Sequence, residues 1–293
     1  AGNGSFQFAT KLASGDSYSV TVKTQPGGPT QTCKISGGTG NVGGGPVTGV
    51  VVNCATDAFT IGGTVSGLDG TGLRLLLNGG SALEITGNGS FAFSGAISSG
   101  TAFTVSVDSQ PTSKSQTCTV TGGTGTIGSA NVTSVAVSCV TNSFVVAVNV
   151  TGLSGTGLVV QNNGENTSVT GNGETAFVTK VLSGSTYNVS VATQPSSPSQ
   201  TCTVASGFGT VGNGKVVVNV TCTTNSYTVG GTVTGLALDA TLVLRNQAGV
   251  DVTLTGTGAA VPVTFSAPVL SGTTWSVIVQ TRPTTPISAP ITL

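Results

Sequence analysis

The chain contains no histidine and no methionine, and only 6% of its 293 residues are charged. Without histidine there is no Ser-His-Asp or Cys-His nucleophile system and no imidazole to bind a metal. The nine carboxylates are Asp16, Asp57, Asp69, Glu84, Asp108, Glu165, Glu174, Asp239 and Asp251. They fall at no matching positions, no two are spaced for acid/base catalysis, and no Asp-rich calcium loop is present. The chain is therefore expected to be noncatalytic and to hold neither cofactor nor metal. Nine scattered basic residues are balanced by nine acids, which argues against a nucleic-acid partner. No apolar run approaches the roughly 18 residues that a membrane helix needs, so no membrane span is expected.

What the chain does have is glycine, 45 residues of it, and an internal repeat. Three landmarks recur together: a Gly-Asn-Gly turn, a Ser-Gly followed by an aromatic and alternating valines, and a pair of cysteines. Gly87-Asn88-Gly89 returns as Gly2-Asn3-Gly4 and Gly171-Asn172-Gly173, and in weakened form as Gly256-Thr257-Gly258. Ser99-Gly100 with Phe103, Val105 and Val107 matches Ser14-Gly15 with Tyr18, Ser183-Gly184 with Tyr187, and Ser271-Gly272 with Trp275. The landmarks return every 83 to 88 residues. A period of that length describes a small domain in tandem, each copy with its own core, because a solenoid unit is usually half as long or less. Paired cysteines and a domain-length repeat also fit a lipid-facing barrel poorly.

A complete unit, Phe59 to Ser143, reads as seven strands and no helix. Phe59, Ile61, Gly63 and Val65 alternate on one face, and the copies place Phe144, Val146, Val148 and Val150, then Tyr227, Val229, Gly231 and Val233, on the same face. Period two with β-branched residues marks a half-buried strand. Leu73, Leu75 and Leu77 point inward around Arg74, and Leu83 and Ile85 do so around Glu84. Phe91 and Phe93 follow the Gly-Asn-Gly turn, which predicts a hairpin there. The fifth strand ends at Gln110-Pro111, since proline cannot continue a central strand. The last two strands carry the cysteines. Seven short strands in about 85 residues suggest a two-sheet β-sandwich of immunoglobulin or fibronectin III kind. The cysteines depart from an antibody domain, because both lie in the last two strands and should clip a terminal hairpin.

Six cysteines fall two to a repeat, at separations of 21, 21 and 20 residues. Their even number and regular spacing, with no CxxC, indicate disulfides formed outside the cytoplasm. In an antiparallel hairpin Cys118 lies opposite Cys139, which predicts bonds Cys33 to Cys54, Cys118 to Cys139 and Cys202 to Cys222. Between them, residues 38–43, 123–128 and 207–212 all spell GxGxxG. The dinucleotide fingerprint must open a helix, whereas these lead into further β runs, so a glycine-rich connection needing positive φ is expected. Most aromatics repeat at inward positions, and Trp275 is expected in the core. Phe208 replaces Thr39 and Thr124 in an exposed loop and is the one candidate ligand contact.

Units reading YTVGGTVTGL, GNGSFAF, SGTAFTVSVDSQP and QTCTVTGGTGTIGSANVTSVAVSC resemble the Ig-like repeats strung in tandem in secreted and surface proteins of Gram-negative bacteria. The resemblance implies a secreted or cell-surface array, structural or adhesive, and does not imply a ligand. The expected organisation is all-β: a partial repeat over 1–58 (the last four strands), complete Ig-like sandwiches over 59–143 and 144–226, and a partial or divergent repeat over 227–293 that has no cysteines. Each second cysteine lies five positions before the aromatic opening the next repeat, so neighbours are expected to stack as a stiff rod. The incomplete ends are expected to expose Phe6 and Phe8 at the front and Val261, Val263 and Phe265 at the back. Their strand edges would pair with other copies in a filament, an assembly that loss of Ile287 to Leu293 should stop. A structural fibre is the primary expectation; an adhesin or glycan-binding module is the alternative.

Overall fold

A computed structural model describes residues 2–283, and the last copy's tail, including Ile287 to Leu293, lies outside the described residues. The chain divides into two compact units, 1–142 and 143–293. The first repeat supplies β1 (Ser17–Ser19), β2 (Gln31–Ser36), β3 (Thr39–Asn41) and β4 (Val51–Thr56). The second supplies β5 (Ala58–Ser66), β6 (Leu73–Leu77), β7 (Ser81–Ile85), β8 (Gly89–Ser98), β9 (Ala102–Ser109), β10 (Gln116–Thr121), β11 (Thr124–Thr126) and β12 (Val132–Thr141). The third has β13 (Ser143–Phe144), β14 (Val146–Thr151), β15 (Leu158–Asn162), β16 (Glu165–Val169), β17 (Gly173–Ala176), β18 (Val181–Leu182), β19 (Thr186–Thr193), β20 (Gln200–Ala205), β21 (Phe208–Thr210) and β22 (Val216–Thr224). The fourth has β23 (Ser226–Val233), β24 (Thr241–Asn246), β25 (Asp251–Thr255), β26 (Val261–Leu270) and β27 (Val277–Thr281). There is no helix among the described residues, hence none long and apolar enough to cross a membrane.

The second repeat shows how the strands are dealt. One sheet runs β10-β12-β5-β8 and the other β11-β9-β6-β7, and the third repeat repeats this as β20-β22-β14-β17 and β21-β19-β15-β16. An antibody domain groups its first, second, fourth and fifth strands against its third, sixth and seventh. Here β5, β8, β10 and β12, the first, fourth, sixth and last strands, share a sheet, so the strand order differs from the immunoglobulin pattern although the layering is alike, and the GxGxxG segment adds β11 to the seven strands expected. The last strand runs parallel to the first, with Val137 beside Val65 and Val220 beside Val150. The chain therefore enters a repeat at one pole and leaves at the other. The expected hairpin at Gly87-Asn88-Gly89 is not formed, because β7 and β8 belong to different sheets. Asn88 instead reaches across the turn, accepting the Leu68 N–H and donating to the Leu68 carbonyl, both at 2.8 Å, and Asn172 holds Leu153 in the same way.

Alternation builds three separate cores. Ile61, Leu73 and Leu75 are fully buried in the second repeat, as are Val146, Val148 and Leu158 in the third. The fourth closes a core around Phe265, Leu242, Leu244 and Val263. Val263 and Phe265 are thus covered rather than exposed, since the leucines of β24 and β25 lie over them without any cysteine hairpin. The first repeat is the exception, for Cys33 is its one buried residue. Phe6 and Phe8 stand 50% and 63% exposed.

Candidate functional site: the cysteine hairpins and the joints between repeats

The three bonds join Cys33 to Cys54, Cys118 to Cys139 and Cys202 to Cys222, each pair directly opposite across its hairpin. Three disulfides fit an oxidising compartment. A glutamine reinforces each. The side chain of Gln110 accepts the Cys118 N–H at 2.7 Å and donates to the Cys118 carbonyl at 3.0 Å, as Gln25 does for Cys33 and Gln194 for Cys202. The fifth and sixth strands lie in different sheets, so the amide acts as the ladder neighbour that the cysteine's backbone would otherwise lack. A second glutamine is buried. Gln116 accepts the Asp69 and Gly70 N–H groups and donates to the Gly67 carbonyl and Thr141 Oγ1, closing the loop after the first strand. Gln200 does the same with Ser154, Gly155, Gly152 and Thr224.

The GxGxxG segments form the short edge strands β3, β11 and β21. Their glycines do not need positive φ; that conformation falls on the preceding Gly37, Gly122 and Ser206. They need close approach. A Cβ on Gly125 would lie 2.9 Å from the Phe103 ring, and one on Gly40 or Gly209 would meet the Tyr18 or Tyr187 hydroxyl at 2.8 and 2.6 Å. The fifth-strand aromatic thus sits beneath a glycine. Trp275 holds that position in the fourth repeat, yet it is 58% exposed, contrary to expectation. Among the described residues no edge strand covers it, and its ring borders an open cleft of about 260 Å³ with Val229, Asn246 and Leu270. Phe208 is 69% exposed on β21, away from that cleft.

The joints are built from the Ser-Gly landmark. Ser99, 7% exposed, accepts the Thr30 N–H of the preceding repeat at 3.0 Å and donates to its own repeat's Gly128 carbonyl at 2.7 Å. Its backbone N–H bonds the Asp57 carbonyl at 2.8 Å. In the second unit Ser271 accepts the Ser199 N–H at 2.9 Å, and its N–H bonds the Asn225 carbonyl at 2.8 Å. Gly100 and Gly272 lie beneath Pro29 and Pro198, each of which follows a cis peptide bond; a Cβ there would come within 3.3 and 3.0 Å of the proline. Sequence reasoning used Ser-Gly to align the copies and missed its role; the signal was its return in all four.

Seven of the nine carboxylates have a local partner. Asp69 pairs with Lys114 at 2.7 Å, and Asp108 pairs with Arg74, Glu174 with Lys215, and Asp251 with Arg245. Asp57 accepts from Thr32, and Asp16 from the Ala13 N–H. Bonds from Arg245 hold the Asp251 carboxyl below its ordinary value and raise the guanidinium's. Desolvation pushes Glu165 up, but bonds from Val178 and Thr179 outweigh it and leave the group below its ordinary value. No three metal-ligating side chains gather among the described residues.

The sequence matches no protein-family model, and no curated protein matches it significantly. Among solved structures the chain is similar to the Bacillus anthracis TIE protein, with a TM-score of 0.39 and 11% identity over 83% of this chain; the match spans 50% of that protein's chain.

Proposed function

We propose that this chain is a noncatalytic structural element of an extracellular or cell-surface fibre, built from stacked repeats that are Ig-like in size and layering. The observation that carries the reading is the joint. A serine and a glycine of one repeat grip a proline turn of the one before, at Thr30–Ser99 and again at Ser199–Ser271. Together with strands that bring the chain in at one pole and out at the other, such joints suit a linear, stiff array. Four of the nine carboxylates are held in ion pairs with a neighbouring cation. Strand exchange between copies is part of the reading.

A glycan-binding module is the second reading, favoured by Trp275, whose exposed ring lies beside Asn246 and Gln247 in the open cleft. An aromatic face with amide groups is a sugar-binding arrangement. No edge strand lies over Trp275 among the described residues, which accounts for its exposure there, so the array reading is preferred. A glycan array probed with the intact protein separates the two. The array reading expects no binding; specific binding that is lost in Trp275→Ala or Phe208→Ala would replace it with the adhesive one.

A further inference from the structure

The joint of the first and second repeats and that of the third and fourth are not equally made. Thr30 Oγ1, in the turn that Ser99 grips, is buried and meets no hydrogen-bond partner. Its counterpart in the third repeat, Ser199 Oγ, accepts the Asn225 amide at 2.8 Å and shares a second bond, of 3.1 Å, with the Tyr227 hydroxyl of the fourth repeat. In the second repeat Ser115 Oγ likewise accepts the Asn142 amide at 2.9 Å. The difference lies in two residues. Asp57 stands where the later repeats carry Asn142 and Asn225, and Phe59 stands where the fourth carries Tyr227.

Asp57 takes the place of the asparagines without moving. Thr32 Oγ1 donates to Asp57 Oδ1 at 2.7 Å, as Thr117 does to Asn142 at 2.9 Å and Thr201 to Asn225 at 2.7 Å. The remaining atom is therefore Oδ2 where the asparagines have Nδ2. A carboxylate oxygen has no proton to give, and the Thr30 hydroxyl makes no bond to it. Phenylalanine at position 59 removes the other donor. A hydroxyl buried without a partner costs free energy that exposure to water returns, so closure of the joint is opposed at Thr30 and supported at Ser199.

We infer that the joint of the first and second repeats opens more readily than that of the third and fourth, and that Asp57 and Phe59 set the difference. This rests on the reading of the chain as a stacked array and says which of its joints yields first. Both joints are closed at rest, for each has two crossing bonds. Thr30 N–H bonds Ser99 Oγ and Ser99 N–H the Asp57 carbonyl; Ser199 N–H bonds Ser271 Oγ and Ser271 N–H the Asn225 carbonyl. What differs is the support behind them. Asn225 ties the Ser199 side chain to the connection into the fourth repeat, and Tyr227 carries that tie across the joint.

The test is amide hydrogen exchange followed by NMR on the full, disulfide-bonded chain. Asp57→Asn returns the amide donor and should slow the Thr30 and Ser99 amides about five- to tenfold, the factor one net hydrogen bond supplies. The Cys33 amide, held by Gln25 inside the first repeat, should not change. Asn225→Asp and Tyr227→Phe each remove one tie and should speed the Ser199 and Ser271 amides by a similar factor. Unchanged exchange at Thr30 and Ser99 in Asp57→Asn overturns the inference, as does unchanged exchange at Ser199 and Ser271 in either of the other variants. Equal slowing at Cys33 also overturns it, because the whole repeat and not its joint would then have been stabilised. None of these results touches the array reading, which needs the joints closed but not unequal.

Discussion

Gln116 is the residue on which a complete repeat leans most heavily outside its apolar core. It is 2% exposed, and its amide holds two N–H groups, a carbonyl and a hydroxyl. Gln116→Ala strands buried backbone groups at about 1–3 kcal/mol each, so a loss of about 3 kcal/mol is expected in chemical denaturation. Gln31 occupies the same position in the first repeat, where its side chain bonds only Thr56 Oγ1 among the described residues. Gln31→Ala should therefore cost no more than about 0.5 kcal/mol. Equal losses would refute the clamp. Neither glutamine's role was legible beforehand, because QTC looks alike whether or not the loop it holds is present. Alternation places both Phe103 and Trp275 inward, yet Phe103 is buried and Trp275 exposed, since the glycine that covers such a ring lies in another strand.

At the level of elements, the strands were legible and, the cysteine hairpins apart, their partners were not. Alternation such as Leu73, Leu75 and Leu77 reveals which side of a strand is buried, yet carries no information on which strand lies alongside. The Gly-Asn-Gly turn read as a hairpin because its φ requirement is the same whether the chain doubles back or crosses to the other sheet. The cysteine hairpins show how context sets the worth of one motif. Loop closure of about twenty residues contributes about 3 kcal/mol in the chain-entropy account. β10 and β12 also lie in a packed sandwich, whereas β2 and β4 form a lone two-stranded pair with Cys33 as its one buried residue. A hairpin of that kind is marginal in water. At concentrations that keep the chain monomeric, reduction should therefore make the amides of β2 and β4 exchange freely while those of β10 and β12 stay protected. Retained protection in both would mean that the first repeat has stability of its own.

For the whole molecule, the decisive feature is that in the second and third repeats the last strand runs parallel to the first. An antiparallel arrangement would return the chain to the pole where it entered, and a linear array would then need long linkers. With opposite poles, four residues suffice between Cys54 and Phe59. The short spacing could be read from sequence; the grip of Ser99 on Thr30 could not, because it joins residues 69 apart through an unremarkable hydroxyl. Stiffness is where structure and proposed role meet. The most direct measurement is small-angle scattering from the monomeric chain, unaltered and as the double variant Ser99→Ala, Ser271→Ala. The account predicts that within each compact unit of the unaltered chain the two repeats scatter as one rigid body, and that in the variant, with its repeats still folded, they move independently. A curve from the unaltered chain that requires independently tumbling repeats would contradict it.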